Sequence, residues 1–396
     1  MLNILRQSRA VLFGFLEIGA LALALYYAAR WLGPSVSSGE PRRLADTLLP
    51  ALTAVGIGFV RLVTPPPLAR NRAAARRVLV VGTGKLAAEI EGLMVRRRHS
   101  RTEIVGYAAL AGEPVAVRRV RVIADAGSLL ACAHENRVDE IVVALEDRRG
   151  MPLQPLLEAR MDGVTVTPYL TFWERETRRL NIDALDPSWL IFADGFRIAG
   201  ATNATLKRAL DVTASLALLI LTLPALVCAA LAIRLDDGGP VFYRQQRIGR
   251  YGRPFDIYKF RTMRVDAEAQ CGPCWAAHRD ARVTRVGRFL RYMLIDELPQ
   301  ILNVLRGEMS FVGPRPERPF FVERLVADIP FYAERHRVRP GITGWAQVNH
   351  PYGASVADAR AKLSYDLYYI KNFTILFDLR IMAQTVRTVL FPDGVR

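Results

Sequence analysis

Three apolar runs, Val11 to Ala29, Leu44 to Val63 and Ala209 to Leu235, are each about the length needed to cross a bilayer core. Inside hydrocarbon every backbone N–H and C=O has to be satisfied within its own segment, so each run is expected to be helical. The first two read as a transmembrane helix pair within residues 1–66. A cleaved secretory signal does not fit the first, because no small-residue cleavage site leads into a soluble sequence and a second span follows directly. Arg6 and Arg9 precede the pair, while Arg61, Arg70, Arg72, Arg76 and Arg77 end or follow it. The positive-inside rule then puts both outer flanks in the cytoplasm, although Arg30, Arg42 and Arg43 in the connecting loop lessen the contrast.

The third run carries Pro224 near its centre, with Lys207 and Arg208 before it and Arg234, Arg244 and Arg247 at or beyond its end. A straight span would place strongly basic flanks on both sides of the membrane. A re-entrant helix over 209–235, broken at Pro224, keeps both on one side. Thr222 is placed to satisfy a carbonyl freed by the proline. The alternative is an ordinary span with a proline kink.

At 396 residues the chain has room for two or three compact units. Its net charge of +16 suits nucleic acid, an anionic membrane surface or phosphorylated substrates. The positive residues gather beside the apolar runs and around one carboxylate pair, so a membrane and a phosphorylated substrate are the expected partners and nucleic acid is not. Cys228 lies in an apolar run and Cys132 in a helical stretch, which argues against a disulfide framework and fits a reducing compartment. Cys271, Cys274 and His278 offer three zinc-type ligands with no fourth nearby, and a surface loop is expected there.

Between the second and third runs, RRVLVVGTGKLAAEI has an apolar strand running into Gly82, Gly84 and Ala87, a strand, turn and helix of the dinucleotide-fold type. Strand-like runs follow at Glu103 to Ala109, Glu140 to Leu145 and Gly163 to Pro168, with a helical stretch at Ala126 to Asn136. A Rossmann-like (CoA-binding-like) parallel α/β domain is expected over 70–198. The acidic ribose ligand that should end the second strand is missing, since Ala108, Ala109 and Leu110 follow Tyr107. A bound dinucleotide is not expected.

Asp296 and Glu297 open DELPQILNVLRGEMSFVGPRP between arginine-rich flanks. Pro299 suits a first helical turn and Gly307 a stop, which puts Asp296 at or near an N-cap. One reading is a capping Asp and a dipole-complementing Glu. The other is phosphoryl chemistry: an ionised carboxylate is a competent nucleophile toward phosphorus, and cations around it would hold phosphates. Lys259, Arg261, Arg291 and Arg315 are the candidates for those cations, each with a solvated surface as its alternative.

The blocks GGPVFYRQQRIGRYGRPFDIYKFRTM, RVTRVGRFLRYMLIDELPQ and RVRPGITGWAQV follow the third run in order. Together with the Asp-Glu block they resemble the bacterial sugar transferase family, the polyprenyl-phosphate phosphoglycosyltransferases, over Leu206 to Leu390. The whole layout is similar to exopolysaccharide and PEP-CTERM-associated undecaprenyl-phosphate sugar phosphotransferases.

The resemblance implies an α/β membrane protein whose catalytic domain, 204–396, is monotopic, mostly helical and anchored by a re-entrant helix. It implies that Asp296 is the nucleophile, Glu297 its partner, and Mg²⁺ a cofactor held at Asp296 and Glu297. Pro314 and Pro316 would form the nucleotide-side turn around Arg315. UDP-sugar and polyprenyl (undecaprenyl) phosphate would be the substrates, at the bacterial inner membrane with the catalytic domain facing the cytoplasm. The product would begin a lipid-linked exopolysaccharide. Homo-oligomerisation is left open.

Two departures stand out. Leu223-Pro224 replaces the family's Ser-Pro at the bend, and two N-terminal membrane helices are visible where larger members carry four. A membrane-tethered nucleotide-sugar dehydratase or epimerase would need Tyr-x-x-x-Lys, and none of the five lysines has a tyrosine four residues before it. A non-enzymatic binder of nucleic acid or anionic lipid remains as a rival of another class. Tyr365, Tyr368, Tyr369, Phe373 and Phe377, interleaved with cations, fit either the headgroup level or a packed core.

Overall fold

The computed structural model describes residues 75–390, apart from 97–101, 119, 120, 148, 197–199, 266, 268–281, 352 and 354. The N-terminal helix pair and Cys271, Cys274 and His278 lie outside the described residues. Residues 75–378 belong to one compact unit.

The first half alternates strand and helix: β1 (Arg76–Val81), α1 (Lys85–Arg96), β2 (Thr102–Ala109), β3 (Val122–Asp125), α2 (Leu129–Glu135), β4 (Glu140–Val143), α3 (Leu153–Met161), β5 (Thr165–Pro168) and α4 (Tyr169–Thr177). The strands are parallel in the order β3-β2-β1-β4-β5, reversing direction of growth between β1 and β4 as in doubly wound folds. Branched apolar residues bury both faces of β1, and Leu79, Val81, Leu129, Ile141 and Leu156 form one core layer. The strand β3 was not expected. It is a short, half-buried edge strand, and such a strand needs no apolar run.

At the turn after β1, Gly82 has a φ of +113° and lacks the Cβ that would strike the Ala144 carbonyl. The N–H groups of Thr83 and Gly84 donate to the Glu113 carboxylate at 2.9 and 3.1 Å. In dinucleotide-binding members of this fold such N–H groups face a pyrophosphate. Here the chain supplies its own anion.

After α5 (Pro187–Phe192) comes α6 (Ala201–Asp237), which contains the third apolar run. The helix is continuous through Pro224, without the break expected there, since a proline within a long apolar helix is tolerated, and its most apolar stretch has a mean hydropathy of 2.7. Thr222 donates to the Leu218 carbonyl at 2.7 Å, so it does not serve the Ile220 carbonyl that Pro224 frees. Leu216, Ile220, Leu221, Leu223, Val227 and Leu231 are exposed.

Both ends of α6 are held by the module that follows. Near the start, Lys207 Nζ bonds Asp378 at 2.6 Å and the Val312 carbonyl at 3.1 Å, Arg208 bonds the Val304 and Leu305 carbonyls, and Asp211 accepts from Ser310 and Phe311. Near the end, Ala229 and Ile233 pack on Phe260 and Leu290.

That module contains the antiparallel pair β6 (Phe242–Ile248) and β7 (Pro254–Phe260), then α7 (Arg285–Tyr292), α8 (Ile301–Arg306), β8 (Ser310–Val312), α9 (Pro319–Asp328), β9 (Gly341–Thr343), α10 (Trp345–Asn349), α11 (Val356–Lys371) and α12 (Ile375–Leu390). Tyr369 and Phe373 are buried, and Trp345, Tyr368, Tyr369 and Phe377 form a ring cluster, so these aromatics serve a core. The α/β half is fastened to α11. Glu174 of α4 accepts from Lys371 and Asn372, both at 2.6 Å, and the Arg178 carbonyl accepts from Trp345 at 2.9 Å. The Leu180 N–H donates to the Ser364 carbonyl at 3.0 Å.

Candidate active site

Leu294, with a φ of 56°, turns the chain out of α7 into a 3-10 segment, Ile295–Gln300, that runs directly into α8. Gly307 ends α8 with a φ of 85°, which is the stop expected for it. The start differs from expectation. Leu294 is the N-cap, and Asp296 lies inside the tight segment with no capping bond. Pro299 accounts for this, because in an α-turn its ring would clash with the Ile295 carbonyl, and the first turns stay 3-10.

A 3-10 segment has three residues per turn, so adjacent side chains diverge by roughly 120°. Glu297 turns to the cations: Lys259 Nζ of β7 donates to it at 2.7 Å, and Arg315 donates at 2.6 and 3.3 Å. Burial would raise this carboxyl, but the charges and hydrogen bonds of Arg315 and Lys259 outweigh it and hold Glu297 well below the usual carboxylate range. Asp296 turns elsewhere. It is 8% exposed and accepts no hydrogen bond among the described residues. Burial, then the neighbouring Glu297 charge, push it up to about 6, against the pull of Lys259, Arg291 and Arg315. One carboxylate is therefore saturated and its neighbour is available.

Arg291 donates from Nε to Thr262 at 2.9 Å, and its charge reaches Asp296. Arg261 is placed differently. Its guanidinium binds both Asp237 oxygens and the Pro240 carbonyl, at the end of α6, rather than the carboxylate pair. Pro314 and Pro316 flank Arg315 in a turn anchored on both sides: the Pro314 carbonyl accepts from Gly341 at 2.9 Å, and the Pro316 carbonyl from Arg247 at 3.0 Å.

Sequence reasoning passed over the parts that hold this turn. A Cβ on Gly313 would fall 2.5 Å from the Arg339 carbonyl, and one on Gly341 would collide with Gly313, so the two glycines let two backbones touch. Arg335, paired in the interior with Asp366, donates to the Arg315 carbonyl at 3.0 Å. The adjacent glycines in VGPRP and RPGITG were the available signal. Arg335 carried none.

Residues 202–392 match the family described as Bacterial sugar transferase. The chain is 44% identical over 192 residues to the exopolysaccharide production protein PSS of Rhizobium leguminosarum bv. phaseoli, covering 46% of this chain and 94% of that protein. The chain belongs to the bacterial sugar transferase family. The chain is also 45% identical over 262 residues to the UDP-N-acetylgalactosamine-undecaprenyl-phosphate N-acetylgalactosaminephosphotransferase of Aeromonas hydrophila, covering 66% of this chain and 61% of the relative. It is 33% identical over 343 residues to the undecaprenyl-phosphate glucose phosphotransferase of Komagataeibacter xylinus, covering 85% of this chain and 62% of that protein. The chain thus spans about three fifths of the length of these two relatives. Both similarities are too long for the matched family region alone and reach into the α/β half.

Proposed function

We propose that this protein transfers a sugar 1-phosphate from a UDP-sugar to undecaprenyl phosphate and releases UMP, through a covalent intermediate on Asp296. The observation that carries the proposal is the division of labour in the carboxylate pair, Glu297 saturated by Lys259 and Arg315 and Asp296 without a hydrogen-bonding partner among the described residues. An Asp296 oxygen attacks the phosphorus that bears the sugar, the bond from that phosphorus to the bridging oxygen breaks, and UMP leaves with that oxygen. An oxygen of undecaprenyl phosphate then attacks the same phosphorus, and the acyl phosphate bond breaks to restore the carboxylate. Lys259, Arg291 and Arg315 offset the phosphate charge in both steps. The names of the relatives from A. hydrophila and K. xylinus support these substrates. The name of the R. leguminosarum relative supports a role at the start of exopolysaccharide assembly.

Among the described residues no group of three or more His, Cys, Asp or Glu side chains could hold a metal on protein ligands alone. The donor set fits Mg²⁺ arriving with the diphosphate, which needs only one or two carboxylates from the protein. Asp296 would hold it, since Glu297 is occupied. Bound there, Mg²⁺ would screen the charge developing on the transferred phosphoryl group.

A re-entrant α6, entering from the cytoplasmic face of the inner membrane, is part of the same proposal. Both ends of α6 dock on the same module, Arg208 on the Val304 and Leu305 carbonyls and Ile233 in the cluster with Phe260 and Leu290, which supports that reading. Single cysteines placed before Lys207 and after Gly239, in a background without native cysteines, should both resist a membrane-impermeant thiol reagent applied outside. Labelling of one alone would establish a span.

The reaction is tested by incubating the full-length enzyme with Mg²⁺, undecaprenyl phosphate and UDP-glucose, UDP-galactose or UDP-N-acetylhexosamines, and recording UMP. With acceptor withheld, a radiolabelled phosphosugar should stay on the protein. The kcat/KM profile should fall on the acid side with a midpoint near 6, because only ionised Asp296 attacks. An acid limb near the ordinary aspartate value would mean that burial does not raise Asp296 in the working enzyme.

A further inference from the structure

One face of β6 takes no part in the chemistry above. In the hairpin Tyr243 pairs with Lys259, Gln245 with Ile257 and Arg247 with Phe255. Cross-strand partners share a face, and so do alternate residues of one strand. Tyr243, Gln245 and Arg247 therefore stand on the face that carries Lys259 to Glu297. They form a hydrogen-bonded row: Arg247 donates to the Pro316 carbonyl at 3.0 Å and to Gln245 Oε1 at 2.6 Å, and Gln245 Nε2 donates to the Tyr243 hydroxyl at 3.0 Å.

A guanidinium only donates, so Gln245 must turn its oxygen to Arg247 and its amide nitrogen away. One Nε2 hydrogen goes to Tyr243, and the second has no partner among the described residues. Arg247 Nε is buried and also without a partner. The free Nε2 hydrogen of half-buried Gln245, held in one orientation by Arg247 and Tyr243, suits a ligand that brings an acceptor.

The direction of the strand says which ligand. The row starts close to Asp237 at the end of α6 and runs away from it, each two-residue step covering about 7 Å. Gln245 and Arg247 thus lie beyond Lys259 as seen from the membrane helix, on the side of the Pro314-Arg315-Pro316 turn. A lipid phosphate would come from the helix end, and the nucleoside of a soluble donor would occupy the other.

Resting on the UDP-sugar reaction proposed above, we infer that Gln245, oriented by Arg247 and Tyr243, selects the nucleobase of the donor by donating its second Nε2 hydrogen to the O4 carbonyl of uracil. Cytosine carries an amino group where uracil carries O4, so a donor would meet a donor. The subsite accepts uridine and rejects cytidine.

The test compares UMP with CMP binding by calorimetry, and UDP-sugar with the matching CDP-sugar by kcat/KM, in the full-length enzyme. Wild type should prefer uridine by tenfold or more, about the worth of one mismatched base contact. Gln245→Glu still accepts from Arg247 but offers only acceptors to the base, so the uridine preference should shrink about tenfold or invert. Its added negative charge weakens both nucleotides and cancels in the ratio. Gln245→Ala should lose the preference without a relative gain for cytidine, and Gln246→Glu, on the opposite face, should keep the wild-type ratio. An unchanged ratio in both Gln245 variants would overturn the inference. If instead UMP is preferred over CMP in a Gln245-dependent way while no UDP-sugar yields lipid-linked product, the proposed reaction fails and the nucleoside subsite stands.

Discussion

Asp296→Asn will lose turnover by several orders of magnitude and yet unfold at a higher temperature than wild type. The loss follows because an amide is a poor nucleophile and the covalent step has no substitute. The gain follows from the same burial that tunes the carboxylate. Asp296 is held near 6 in the folded protein against an ordinary 3.8. Between these values the folded state keeps a proton that the unfolded state has released, so stability falls as pH rises through the window and the deficit persists at pH 7. It is about 3 kcal/mol, and a neutral amide removes it. Melting curves in Mg²⁺-free buffer at pH 7 and pH 4 should show the variant ahead at the first and level at the second. Near-normal UMP release from the variant would end the case for Asp296, and an unshifted melting curve would show that burial there costs nothing.

Glu297→Gln should cost at least a hundredfold in kcat/KM, the scale on which misplaced catalytic groups are felt. The substitution leaves Lys259 and Arg315 without the anion that orients them. It should also move the acid limb. The Glu297 charge raises Asp296 and is second only to burial, while Lys259 and Arg315 lower it. Without Glu297 the limb should therefore fall below 6. A limb that stays in place while activity collapses would mean that Glu297 acts on substrate directly and not through its neighbour.

The apolar run at Ala209 to Leu235, the α/β order of elements and the cluster of Asp296, Glu297, Lys259 and Arg315 were all legible in the chain. Each rests on residue type at a short spacing, where local chemistry dominates. Arg261 shows the limit of that reasoning: its charge made it a candidate for a phosphate, but only the fold reveals that Asp237 lies across from it. Asp296 lies near the N-cap but two residues past it for a related reason, since Leu294 in a left-handed conformation and Pro299 together set a 3-10 start that capping preferences do not anticipate. Gly313 against Gly341, and Arg335 against Arg315, are contacts between segments distant in sequence, and no pattern within either segment encodes them.

The carboxylate of Glu113 across Thr83 and Gly84 changes how the first half of the molecule meets the cell's metabolites. Any free nucleotide diphosphate seeking that turn competes with a carboxylate built into the same chain and already seated on both N–H groups. It must also overcome repulsion from the rival's own negative charge. A diphosphate could take that turn only by displacing Glu113 and unpairing both N–H groups first.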